Sequence, residues 1–134
     1  MTDAPVLEIN SGSSSVKYQL VRPSGPRLAA GTIERIGETD GAWRHSAGSD
    51  SGSGKQPVAD HQSAFALISR LFDDRSPDLA SSGVQAVGHR VVHGGARFSE
   101  PTLVSAEVLD EIEGLSPLAP LHNPPALAGI RAAQ

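Results

Sequence analysis

Apolar and polar positions alternate through the first 36 residues in a way that predicts consecutive strands. Residues 5–9 form a short, largely apolar run closed by turn formers, and Val16, Tyr18 and Leu20 alternate with Ser15, Lys17 and Gln19. That is the two-residue period of a half-buried strand. Residues 27–36 (R-L-A-A-G-T-I-E-R-I) read as a third strand, which makes an antiparallel meander. Residues 37–55 are rich in Gly, Ser and Asp with few apolar anchors, so they are expected to form a mobile surface loop with His45 solvated in it. A helix is predicted from a cap at Asp60 to about Asp74, with Ala64, Phe65, Ile68, Leu71 and Phe72 on one stripe and His61 solvated at its start. Residues 76–83 read as a linker, and residues 84–92 as a strongly apolar strand placed centrally in the sheet. Ser105 starts a shorter helix with Val108, Leu109 and Ile112 facing inward. Asn123 followed by Pro124 starts another, with Leu127 and Ile130 on one face. The order β-β-β-α-β-α predicts an α/β protein, a mixed sheet with helices packed against it.

The chemistry concentrates where these strands end. Between the first two lies N-S-G-S-S-S, from Asn10 to Ser15. Its backbone N–H groups, hydroxyls and single amide suit an anion, and more specifically a polyphosphate with its metal. Alternation puts Ser15 and Lys17 on one face and Val16 and Tyr18 on the other. A solvated hairpin turn uses the same residue types, so composition alone leaves both readings open. The segment G-H-R-V-V-H-G-G begins at Gly88 and places Arg90 and Val92 on one face of a strand, with His89, Val91 and His93 opposite. An arginine beside an aliphatic side chain suits a small carboxylic acid, whose carboxylate the guanidinium fork holds while the valine faces the short alkyl tail. An ion pair with a structural carboxylate such as Glu100 is the alternative. His89 and His93 would stand about 13 Å apart along a strand, too far to share a metal ion. The run G-S-D-S-G-S-G-K ending at Lys55 imitates a P-loop. Its first glycine lies one position too far back, Gln56 and Pro57 follow the lysine, and no apolar strand precedes it. It reads as low-complexity loop.

Composition narrows the function classes. The chain has 134 residues, 38% hydrophobic and only 4% aromatic, which allows one domain with an aliphatic core. A formal charge of −4 argues against nucleic acid or an anionic membrane as a partner. With no cysteine there are neither disulfides nor thiolate metal sites. No apolar run approaches the ~20 residues of a membrane span, and no signal-peptide pattern opens the chain. A cytoplasmic protein is expected.

Taken together, N-S-G-S-S-S-V-K, G-H-R-V-V-H-G-G and L-A-P-L-H-N-P-P (residues 118–125) resemble the acetate kinases, a family of the actin and sugar-kinase superfamily. E-R-I-G at residues 34–37 and F-S-E-P-T-L-V at residues 98–104 extend the match, which leaves out only a variable surface loop at residues 38–60. The resemblance implies an actin-like (ribonuclease H-like) ATPase domain with a three-stranded antiparallel meander. It also implies reversible transfer of the γ-phosphoryl group of ATP to acetate, giving acetyl phosphate and ADP. Asn10 would then help to hold Mg²⁺, and Ser13, Ser15 and Lys17 would face the phosphates of ATP. Arg90 would clamp the acetate carboxylate, with Val92 and Leu121 near its methyl group. His122, inside the third motif, is as readily a turn residue. Ser11 stands where a small residue or a cysteine is common, a change expected to be harmless.

Acetate kinases are much longer proteins, and the helix from Asn123 is expected to reach Gln134 without a glycine, basic last turn or proline to close it. Residues 1–134 are therefore expected to be the N-terminal portion, incomplete at its C-terminal end. By the resemblance, the family's catalytic aspartate, histidine, arginine and Mg²⁺-binding glutamate would follow Gln134, as would the contacts of a parent homodimer. This portion would then be inactive alone. A propionate kinase of the same family is one alternative, and a non-catalytic half-domain that binds carboxylate or phosphate weakly is another.

Overall fold

Strand alternation extends further along the chain than its composition suggests. A computed structural model describes residues 3–74, 84, 86–90, 102–118 and 123–133. Five consecutive strands, β1 (Val6–Ser11), β2 (Val16–Val21), β3 (Arg27–Glu34), β4 (Ala42–Ala47) and β5 (Asp50–Lys55), form an antiparallel meander. β6 (Ala86–His89) then pairs in parallel with β1, so the sheet order is β5-β4-β3-β2-β1-β6. Among the described residues β6 is a terminal strand and not the central one expected for residues 84–92. Residues 76–83, Val92, His93, Leu121 and His122 lie outside the described residues.

Within the loop expected at residues 37–55, and the surface loop at 38–60, residues 42–55 are β4, β5 and their turn. Trp43 and His45 alternate with the exposed Arg44 and Ser46, a strand period carried by too few apolar residues to stand out. Gly48 has φ 60 at the first position of a two-residue turn, which a hairpin of the mirror-image type requires. Gly54 lies beneath the Trp43 indole, with no room for a Cβ. The P-loop imitation is thus the second arm of a hairpin.

His45 is the sharpest departure from expectation. It is 2% exposed, and its Nδ1 shares a hydrogen bond of 2.6 Å with the Tyr18 hydroxyl. Tyr18, Gly31 and His45 occupy matched positions on β2, β3 and β4. Gly31 has no side chain, so the tyrosine ring reaches across it; a Cβ there would overlap the Tyr18 hydroxyl. Phe72 closes the cluster with its ring centroid 4.9 Å from His45 and 5.6 Å from Tyr18.

Burial pushes the Tyr18 phenol well above its ordinary range. The folded chain therefore keeps this proton at a pH where the unfolded chain has released it. The resulting stability is fully present below about pH 10 and is lost as pH rises beyond it. Tyr18 is the single tyrosine of the sequence, so tyrosinate absorbance follows it alone. The absorbance is expected to rise together with loss of the far-ultraviolet dichroism. An ordinary tyrosine titration in the still-folded chain would contradict the burial of Tyr18.

Three helices complete the described part. α1 (His61–Asp74) begins as predicted, with the Asp60 carboxylate accepting from the Ser63 N–H at 2.8 Å. That hydrogen bond holds the Asp60 pKa below its usual value. Ala64, Leu67, Ile68, Leu71 and Phe72 of α1 are buried in one cluster with Leu7, Ile9, Val16, Tyr18, Leu20 and Ile33 of the sheet. α2 (Ala106–Gly114) is capped by Ser105 and buries Val108, Leu109 and Ile112. These pack with Leu127 and Ile130 of α3 (Asn123–Ala133). Arg131, in the last turn of α3 where no basic residue was expected, pairs with Glu113 of α2 at 3.2 Å. Both side chains are half-exposed, so the pair adds little stability. No described helix is long and apolar enough to cross a membrane.

Candidate phosphate and carboxylate site

The sheet has one face packed on α1 and one that is polar. Leu7, Ile9 and Ser11 of β1 point to the packed face, which leaves Glu8 and Asn10 on the other. Asn10 is the register partner of Lys17, so amide and ammonium stand side by side on adjacent strands. Arg90 immediately follows β6, and its backbone N–H donates to the Ile9 carbonyl at 3.0 Å. That bond continues the parallel register one residue beyond the Ile9–His89 pair. The Arg90 side chain consequently shares the face of Asn10 and Lys17, while His89 turns to the Ile9 side. Burial makes His89 a weaker base than an ordinary histidine, so it is mainly neutral at neutral pH.

Asn10, Lys17 and Arg90 line one open cleft of about 610 Å³, together with Glu8, Gln19 and Gly88. The Glu8 carboxylate accepts a hydrogen bond from the Gln19 amide, which directs it along the sheet. Asn10, Lys17 and Arg90 thus bring one amide and two cations into the cleft from three neighbouring strands, with Arg27 a third cation in its lining. Ser13 and Ser15 do not line it; they belong to the turn at its end, Ser13 exposed and Ser15 half-buried. The other two candidates, Val92 and Leu121, lie outside the described residues.

The turn is held from both sides. Gly12 N–H donates to the Ser15 carbonyl at 2.7 Å, and the Ile36 N–H donates to the Ser14 carbonyl at 2.9 Å. Ile36 follows Arg35, which adopts the left-handed φ of 56, uncommon for a residue with a Cβ. His61, expected to be solvated, instead places Nε2 2.7 Å from the Gly12 carbonyl. Neither tie is legible in the sequence, because one uses a backbone group and the other spans 49 residues.

Ser11 is buried at 6% exposure, and its Oγ has no partner among the described residues. It abuts Gly129 of α3, where a Cβ would come within 2.9 Å of that oxygen. Removing an unpartnered hydroxyl relieves a desolvation cost. Ser11→Ala is therefore expected to leave stability unchanged or to raise it by up to ~1 kcal/mol, measured as the urea midpoint. A loss of that size would reveal a hydrogen bond to Ser11.

Residues 5–134 match the model of the acetokinase family. The chain is 52% identical over 130 residues to the acetate kinase of Clavibacter sepedonicus, covering 96% of this chain and 33% of the relative. With the acetate kinase of Streptomyces coelicolor identity is 51% over 137 residues, covering 100% of this chain and 34% of the relative. The crystal structure of Porphyromonas gingivalis acetate kinase superposes with a TM-score of 0.87 at 38% identity, over 96% of this chain and 33% of that one. A propionate kinase from Francisella tularensis gives the same TM-score at 32% identity, over 98% of this chain and 33% of that one. The chain thus spans about a third of the length of the curated relatives it matches. With a matching family model along almost its whole length and the mixed-sheet α/β fold of these kinases, the chain belongs to the acetokinase family.

Proposed function

We propose that the intact protein is an acetate kinase, which transfers the γ-phosphoryl group of ATP reversibly to acetate. The observation that carries this reading is the convergence of Asn10, Lys17 and Arg90 on one cleft from three adjacent strands. Arg90 holds the acetate carboxylate through its guanidinium fork and orients one oxygen for attack on phosphorus. As that P–O bond forms, the bond from phosphorus to the bridging oxygen of ADP breaks. Lys17 stands where the negative charge of the phosphates must be balanced. Ser13 and Ser15 supply hydroxyl and amide donors at the end of the cleft.

The amide oxygen of Asn10 is a hard donor of the kind Mg²⁺ accepts. Among the described residues no group of three or more acidic or histidine side chains could hold a metal ion. Asn10 would help to hold Mg²⁺ through ordered water. The ion would supply neutralisation of charge on the transferring group. Acetate is favoured over propionate because the Clavibacter sepedonicus and Streptomyces coelicolor relatives are acetate kinases and identity to the Porphyromonas gingivalis acetate kinase is higher than to the propionate kinase. By the same family likeness, the intact protein is a cytoplasmic homodimer.

The test is a hydroxamate assay of the intact gene product with ATP, Mg²⁺ and acetate, propionate or butyrate. Acetate is expected to give the highest kcat/KM, and absence of turnover with all three acids would sink the reading. Val92→Ala probes the alkyl end of the pocket. Removing two methyl groups is expected to improve the propionate-to-acetate ratio of kcat/KM by about 10-fold, from ~1 kcal/mol per methylene. An unchanged ratio with a lower melting temperature would place Val92 in the core.

A further inference from the structure

We infer that His61 is a positioning residue for phosphoryl binding, because it takes the Gly12 carbonyl out of the turn and so aims the turn's amides. In an ordinary two-residue hairpin turn the carbonyl of the first residue accepts from the N–H of the fourth. For residues 12–15 that donor would be the Ser15 N–H. Here Gly12 N–H does bond to the Ser15 carbonyl, but the Gly12 carbonyl accepts from His61 Nε2 at 2.7 Å. The Ser15 N–H is released from its usual partner and has no acceptor among the described residues.

Peptide geometry carries the consequence further. In a trans peptide the C=O of one residue and the N–H of the next point in opposite directions. The Gly12 carbonyl is drawn to His61 at the start of α1, so the Ser13 N–H points away from α1. The Ser14 carbonyl is drawn to the Ile36 N–H at 2.9 Å, so the Ser15 N–H points away from Ile36. The Ser13 and Ser15 N–H groups, neither of which has an acceptor among the described residues, are thereby left as donors for an anion. Lys17, on the polar face of the strand that follows, adds the positive charge. His61 is itself fixed by its place in the first turn of α1, directly after the Asp60 cap. The imidazole donates whether neutral as the Nε2–H tautomer or protonated. Its contribution is direction, not charge.

This inference rests on the acetate kinase reading and names His61 as a determinant of affinity for the phosphorylated substrates. The experiment compares wild type, His61→Leu and His61→Gln of the intact protein. Steady-state kinetics are run in both directions, with dissociation constants for Mg·ATP measured in parallel. His61→Leu keeps the volume but has no donor, and is expected to raise KM for ATP and for acetyl phosphate about 10-fold. KM for acetate should stay within about twofold. His61→Gln presents an N–H at similar reach and is expected to recover to within about threefold of wild type. A merely structural histidine would instead lower the melting temperature in both variants, with glutamine no better than leucine and KM unchanged. That result overturns the inference, as does an unchanged Mg·ATP dissociation constant in His61→Leu. A wild type that binds Mg·ATP but phosphorylates no acid would defeat the functional reading, while the binding constants of the variants would still decide His61.

Discussion

Arg90→Ala in the intact protein is expected to lower kcat/KM for acetate by about 10- to 150-fold, the equivalent of ~1.5–3 kcal/mol for a charge-assisted hydrogen-bonded pair. The Arg90 side chain is exposed on the polar face of the sheet, and what anchors the residue is its backbone N–H on the Ile9 carbonyl. Alanine keeps that anchor, so the melting temperature should hold while activity falls. Arg90→Lys restores the charge without the planar fork, and is expected to lie between alanine and wild type while still being severely impaired. The KM for ATP should move little in either variant, because Lys17 and the Gly12–Ser15 turn belong to another strand pair. Kinetics equal to wild type in the alanine variant would mean that the guanidinium serves elsewhere and that the carboxylate assignment is wrong.

How far the sequence reveals the site depends on which physical signal each residue sends. Lys17 and Arg90 are placed on strand faces by the period of two, whereas Asn10 is singled out only by the family resemblance. α1 and α2 were legible through their caps and apolar stripes, and Leu127 and Ile130 through their helical spacing. β4 and β5 were missed because glycine and serine make weak strands. Their stability comes from the pairing of β4 with β3 and of β5 with β4, and from Trp43 lying over Gly54. The period-two alternation of Trp43, Arg44, His45 and Ser46, followed by Gly48-Ser49, was the signal available. A loop would leave His45 in solvent, yet it is buried because β4 pairs with β3 and brings it opposite Gly31. His61 and the left-handed Arg35 were beyond reach. Their effects depend on where the third strand and the first helix lie relative to a four-residue turn, and no local pattern encodes that.

The largest loss of stability is expected from Phe72→Ala. Phe72 is fully buried at 0% exposure, between the sheet and the body of α1, and touches both Tyr18 and His45 through its ring. Deleting a buried phenylalanine costs ~3–5 kcal/mol through lost transfer energy and the cavity left behind. A domain of this size has ~5–15 kcal/mol in all, so the variant should be close to unfolding at ordinary temperature. The cavity would open against the Tyr18–His45 hydrogen bond, which joins β2 to β4 across Gly31. Phe72→Leu fills most of the space and should cost substantially less. Equilibrium urea unfolding is informative because Trp43, the single tryptophan, lies on β4 itself. Its fluorescence follows the meander, while far-ultraviolet dichroism follows the whole chain. In wild type the two transitions should coincide, and in Phe72→Ala both midpoints should fall together. A loss below ~1 kcal/mol would show that the aromatic cluster is not packed as described. Separation of the two curves in the variant would show that β4 and β5 depend on Phe72 for their coupling to the strands that carry Asn10 and Lys17.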